Sequence, residues 1–161
     1  MHTSSEPVHL LDRAGALLRP AADTLGRSRV GGLLAGEWLG HPLHPALTDL
    51  PIGFWTSAMA LDIVGGERAR PSATSLVGLG LLSVAPTAAA GLVDWRQLSG
   101  ERSRTGVVHA ACNSAATVLY LASWRSRRTG RHARGVVLGF AGATVATVAG
   151  YLGGRLAFGE T

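Results

Sequence analysis

The sequence contains no lysine; all 15 basic residues are arginine. It has one cysteine, Cys112, which excludes an internal disulfide and any CxxC redox or metal site. Aromatic residues make up 6% of the 161 residues and charged residues only 16%. No glycine-rich phosphate loop, nucleophile elbow or zinc-protease helix motif is present, so no motif points to an enzyme, and none decides the question. The N-terminal stretch MHTSSEPVHLLDRAG lacks a basic region leading into an apolar core, so it is not read as a signal peptide. The arginine runs have no interleaved aromatics, which argues against nucleic acid as a partner.

What remains is apolar. Hydrophobic residues reach 47%, with 22 glycines, and the mean hydropathy is +0.23. Leu, Val, Ala and Gly in this proportion suit helices packed closely in lipid. A bilayer core of about 30 Å needs about 20 apolar helical residues. Four segments meet that length: 45–64, 74–93, 106–124 and 135–154. The second and fourth have no polar face, unlike the helices of a soluble bundle. The connections are short, polar and arginine-bearing, so consecutive helices must run antiparallel. The expected fold is therefore all-α: a four-helix, multi-pass transmembrane bundle over residues 41–161, in the cell (inner) membrane. Residues 1–40 form an arm whose Val8, Leu10, Leu11, Ala14, Leu17 and Leu18 follow helical spacing, as in an amphipathic helix on the membrane surface. Trp38, Trp55, Trp95 and Trp124 stand where interfacial aromatics belong. Gly142, Ala146, Gly150 and Gly154 suggest a packing stripe on the fourth helix, and Ser83, Thr87 and Gly91 another on the second. Pro51 and Pro86 should bend their helices.

The arginines barely orient this bundle. Seven flank loops one and three and six lie on the other side, so the positive-inside rule does not decide. The density of RSRRTGRHAR favours a cytoplasmic third loop with both termini outside, and that run reads as an anionic-lipid contact.

The polar residues are more informative. The stretch GHPLHPALTDLPIGFW (Gly40–Trp55) puts His41 and His44 at the start of the first span and Asp49 about a turn inside. Both histidines precede proline and should be extended, with His44 as N-cap and the two imidazoles pointing the same way. Asp94 and Arg96 close the second span. His109 opens the third, with Cys112 and Asn113 on its face. The up-down order brings all of these to one end of the bundle. Asp62 falls near the opposite end and can simply reach the interface.

Ionisable groups in a bundle are costly and usually employed. One reading is a metal centre, a divalent transition metal or haem b, with His41, His44, His109, Asp49 and Asp94 as ligands and Arg96, Cys112 and Asn113 around them. A second is a structural or assembly module in which Asp49 and Asp94 pair with Arg96 and the histidines bond backbone carbonyls. A third is a small transporter or proton path, which four helices would support only as a homo-oligomer. His44 and His109, with the pairs Ala90–Gly91 and Ala149–Gly150, also admit a two-helix unit duplicated in parallel.

With these residues the chain resembles a bacterial family of predicted four-helix transmembrane domains of unknown function. Its hallmark is a GHPxHP opening followed by a D-x-P-I-G-like stretch, here Gly40–Pro45 and Asp49–Gly53. A G-x-x-D, Gly91–Asp94, and a histidine entering the third helix, His109, extend the likeness over about residues 33–155. Some relatives are joined to a Rieske iron–sulfur domain, so the resemblance implies electron transfer with a redox protein partner beside the lipid bilayer.

Overall fold

The structure is a computed structural model that describes residues 6–158, and these residues are almost entirely helical. The helices are α1 (Glu6–Gly26), α2 (Gly31–Ala35), α3 (Leu43–Val64), α4 (Arg70–Trp95), α5 (Gly100–Arg128) and α6 (His132–Phe158). Each of the four expected spans lies within one of α3–α6. By length and composition, α4 and α6 are apolar enough to cross a membrane. α3, which carries Asp49 and Asp62, and α5, which carries charged residues towards both ends, fall outside that pair. Helix α4 continues through Pro86, and α3 through Pro51.

The tightest neighbours are α3 with α4 and α5 with α6, so the bundle is two hairpins side by side. Each hairpin packs through small residues. The buried positions of α6 are Gly135, Gly139, Gly142 and Ala149, not the stripe at 142, 146, 150 and 154. Steps of four residues drift about 40° around a helix at each step, whereas alternating steps of three and four stay on one face. Gly150 and Gly154 accordingly meet nothing.

Helix α1 is docked on the end of the bundle where α4 meets α5. Gly15 lies against the Trp95 ring, and Ala22 is completely buried. Arg19 stacks over Trp95 at 4.5 Å and donates to the carbonyls of Arg96 (2.6 Å) and Leu98 (3.2 Å), in the segment that follows α4. Trp95 is thus a buried anchor and not an interfacial residue. Two glycines with positive φ, Gly36 and Gly40, reverse the chain between α2 and α3.

Arg104 on α5 grips Asp12 of α1 with two hydrogen bonds, at 2.8 and 3.1 Å. The Arg104 guanidinium holds the Asp12 carboxyl below its usual value of 3.8. A depressed native pKa stabilises docking fully above the unfolded value, and this stabilisation is lost as pH falls through the native one. Deuterium uptake by residues 6–26, corrected for intrinsic exchange, should therefore be flat from neutral pH to about pH 4 and rise below. Asp12→Asn should raise it at neutral pH; unchanged uptake would remove the pair from the docking account.

Candidate functional site

Helix α3 begins at Leu43, after Pro42 in an extended conformation. His44 therefore lies in the first helical turn and is not the N-cap. The two imidazoles consequently part. His41 stays exposed, its Nδ1 3.2 Å from the Pro42 carbonyl. The His44 ring turns into the bundle. Its Nδ1–H donates to the Thr87 carbonyl of α4 at 2.9 Å, and the ring rests against Gly91.

His109 repeats this arrangement in the second hairpin. Its Nδ1–H donates to the Ala149 carbonyl of α6 at 2.8 Å, and its ring rests against Gly153. The two rings meet edge to face, with centroids 6.2 Å apart and planes at 86°. With each Nδ1 donating, each Nε2 carries the lone pair. Asn113 Nδ2 donates to His109 Nε2 at 3.0 Å and to the His109 carbonyl at 3.1 Å.

The correspondence runs the length of the hairpins. Eleven residues after each histidine stands an aromatic, Trp55 and Tyr120, stacked at 3.8 Å and 13°. Seven residues further stand Asp62 and Arg127, joined by two hydrogen bonds at 2.8 and 2.6 Å. Each member of the second set follows its counterpart by 65 positions. Trp55 lies on Gly80 and Tyr120 on Gly142, and the α6 residues follow their α4 counterparts by 62. The core is thus a parallel duplication of one helical hairpin, with three pairs of side chains meeting on the axis between the copies. Trp55, 6% exposed, is a core residue rather than an interfacial one. The sequence reading matched Gly91 to Gly150, whereas the structural partner of His109 is Gly153.

The lower pair is the more deeply buried. The side chains of Asp62 and Arg127 are 2% and 1% exposed. Arg127 Nε also donates to Ser123 Oγ at 3.2 Å, and Ser123 Oγ–H donates to the Gly135 carbonyl. His132 Nε2 lies 3.5 Å from Asp62. Asp62 thus reaches a buried partner and not the interface. Its sequence signal was its distance from His44, equal to that of Arg127 from His109.

The other sequence-derived ligands are not gathered around the histidines. Asp49 is exposed, because five residues turn it about 140° around α3 from His44. Asp94 is half-buried and forms no ion pair with Arg96 among the described residues. The Arg96 guanidinium instead lies against Gly26. Cys112 is a half-buried free thiol. Among the described residues, no group of three or more His, Cys, Asp or Glu side chains is arranged to hold a metal ion.

An all-helical double hairpin with two membrane-compatible helices defines a helical protein of membrane character. The sequence model described as "Predicted membrane protein (DUF2231)" matches residues 40–161, and the chain belongs to this family, whose function is unknown. The match begins at the glycine of the GHPLHP opening and takes in both hairpins. No curated protein and no solved structure is significantly similar to the chain.

Proposed function

We propose that the chain is a four-span membrane module in which His44 and His109 would hold one haem between the two hairpins, a group that would supply one-electron transfer to a protein partner. The observation that carries this reading is the histidine pair itself. One imidazole comes from each copy of the hairpin, and each is pinned through Nδ1–H to a backbone carbonyl that fixes the tautomer and puts the lone pair on Nε2, where Asn113 would have to release that of His109 for it to coordinate. Two neighbouring imidazoles, one from each hairpin, match in number a centre that takes two protein ligands, as bis-imidazole haem does. They do not suffice for a bare tetrahedral ion, which takes three or four. The membrane part rests on large apolar side chains left exposed on every helix of the bundle. Leu50 and Ile52 on α3, Leu82 on α4, Val118 on α5 and Val137 and Tyr151 on α6 are among them. Soluble monomers seldom leave such faces bare.

The experiment is an absorption spectrum of the detergent-purified protein, oxidised and then dithionite-reduced, with elemental analysis of the same sample. A Soret band that shifts on reduction, and is lost in both His44→Ala and His109→Ala, is the expected result. A clear spectrum with no iron, or iron kept by both variants, would overturn it.

One observation favours a second reading, in which the pair only ties the hairpins together. Asn113 already occupies the lone pair of His109 Nε2. On that reading the same two substitutions lower the melting temperature and remove no bound species. Asn113→Ala separates the two. It should strengthen binding of added haemin if Nε2 coordinates, and only loosen the fold if it does not.

A further inference from the structure

The two hairpins match along the axis and differ at their turns. At the α3–α4 turn, one of the two arginines is paired, Arg70 with Glu67 at 2.9 Å, leaving Arg68. At the α5–α6 turn, Arg125, Arg131 and Arg134 line one groove of about 290 Å³ with Ala122, Ser126 and Thr129. None of these three guanidiniums has a hydrogen-bond or ion-pair partner among the described residues. Their counterparts in the first hairpin are Ala60, Ala69 and Ser72. The duplication has therefore diverged here towards three positive charges on one concave surface.

The surroundings decide what those charges face. One turn before Arg125 on α5, Leu121 is exposed, and Val118 lies one turn beyond it. On α6, Val137 is exposed one turn after Arg134. The groove thus sits at the rim of an apolar face, with guanidiniums at the edge and branched aliphatic side chains directly below. Nearby, Arg128 stacks over Trp124 at 5.2 Å, an aromatic–cation pair of the kind that marks a headgroup layer. A free phosphate would use the charges and leave the apolar rim unexplained. A lipid with a phosphate head and acyl tails matches both parts.

We infer that Arg125, Arg131 and Arg134 form a binding site for the headgroup of one anionic phospholipid, whose chains lie along Val118, Leu121 and Val137. The site rests on the reading that α5 and α6 span a bilayer. Guanidinium forks suit phosphate oxygens, and each arginine near an anionic surface contributes enough that losing three should weaken binding on the order of a hundredfold.

The test is native mass spectrometry of the full chain released from detergent with added phosphatidylglycerol, with phosphatidylcholine as the uncharged comparison. The wild-type chain should keep one phosphatidylglycerol and little phosphatidylcholine. The triple variant R125Q/R131Q/R134Q should lose that preference while its circular dichroism is unchanged, and Arg68→Gln on the other turn should keep it. Undiminished phosphatidylglycerol binding by the triple variant would overturn the site. So would an equal loss in Arg68→Gln, which would mean a diffuse field, or displacement by millimolar inorganic phosphate, which would mean a free-anion site. Alkaline washing of membranes from expressing cells separates the two premises. A chain that washes out ends the membrane-spanning reading, whereas a retained chain indifferent to lipid charge ends only the lipid site.

Discussion

Asp62→Ala should destabilise the bundle by about 3–5 kcal/mol, because it leaves the Arg127 guanidinium buried opposite nothing that can balance it. Thermal unfolding followed by circular dichroism, in one fixed detergent, should show a drop on the order of 10 °C. The cause is the uncompensated charge rather than the lost attraction, so the double variant D62L/R127L should recover most of the loss. Exchanging the two residues, D62R/R127D, should recover less. An arginine at 127 has Ser123 Oγ as a further acceptor, whereas the corresponding neighbour of an arginine at 62 is Ala58. A melting temperature unmoved by Asp62→Ala would mean that the pair is hydrated and does not hold the hairpins together.

Gly80→Ala should be far more damaging than the same change at its counterpart Gly142. A Cβ at this position would run into the Trp55 indole nitrogen and its neighbouring carbons. The ring cannot retreat, because Tyr120 is stacked on its other side, and displacing it breaks the Nε1–H bond to the Val77 carbonyl at 3.3 Å. Overpacking costs about 1–3 kcal/mol, and a stranded buried donor adds about 1–3 more. Gly142→Ala, at the matching position, should cost less. Its Cβ would meet the Tyr120 ring at 3.0 Å, a contact that a shift of a few tenths of an ångström relieves. Melting curves of the two variants should rank in that order. Equal losses would show that the two halves of the aromatic layer are packed alike.

The sequence carried the helices and part of the site. Segment length places all four core helices, and the absence of a polar face marks the second and fourth. The up-down order alone brings His44 and His109 to the same end, although 65 positions separate them. The other proposed ligands fail for local reasons. Pro42 starts α3 earlier than Pro45 would, which turns His44 inward and leaves His41 outside. Asp49 is then on the wrong side of the helix. The duplication was harder to read because the axis pairs differ in residue type. Trp55 corresponds to Tyr120, Asp62 to Arg127 and Ala58 to Ser123, so a comparison by identity finds the histidines and little else. The spacing also changes from 65 to 62 between the two helices of the hairpin, since the second turn is shorter, and an alignment anchored on Ala–Gly pairs slips by three.

The Asp62–Arg127 contact also constrains the protein's ancestry. On a true two-fold axis a residue meets its own copy, so a dimer of single hairpins would have set carboxylate against carboxylate or guanidinium against guanidinium. The His44–His109 layer is compatible with such a dimer; the ion pair requires two copies that are encoded separately and free to differ. The imidazole layer is therefore the part of the axis that identical halves could share, whereas the charge pair commits each hairpin to its unlike neighbour and against its own duplicate.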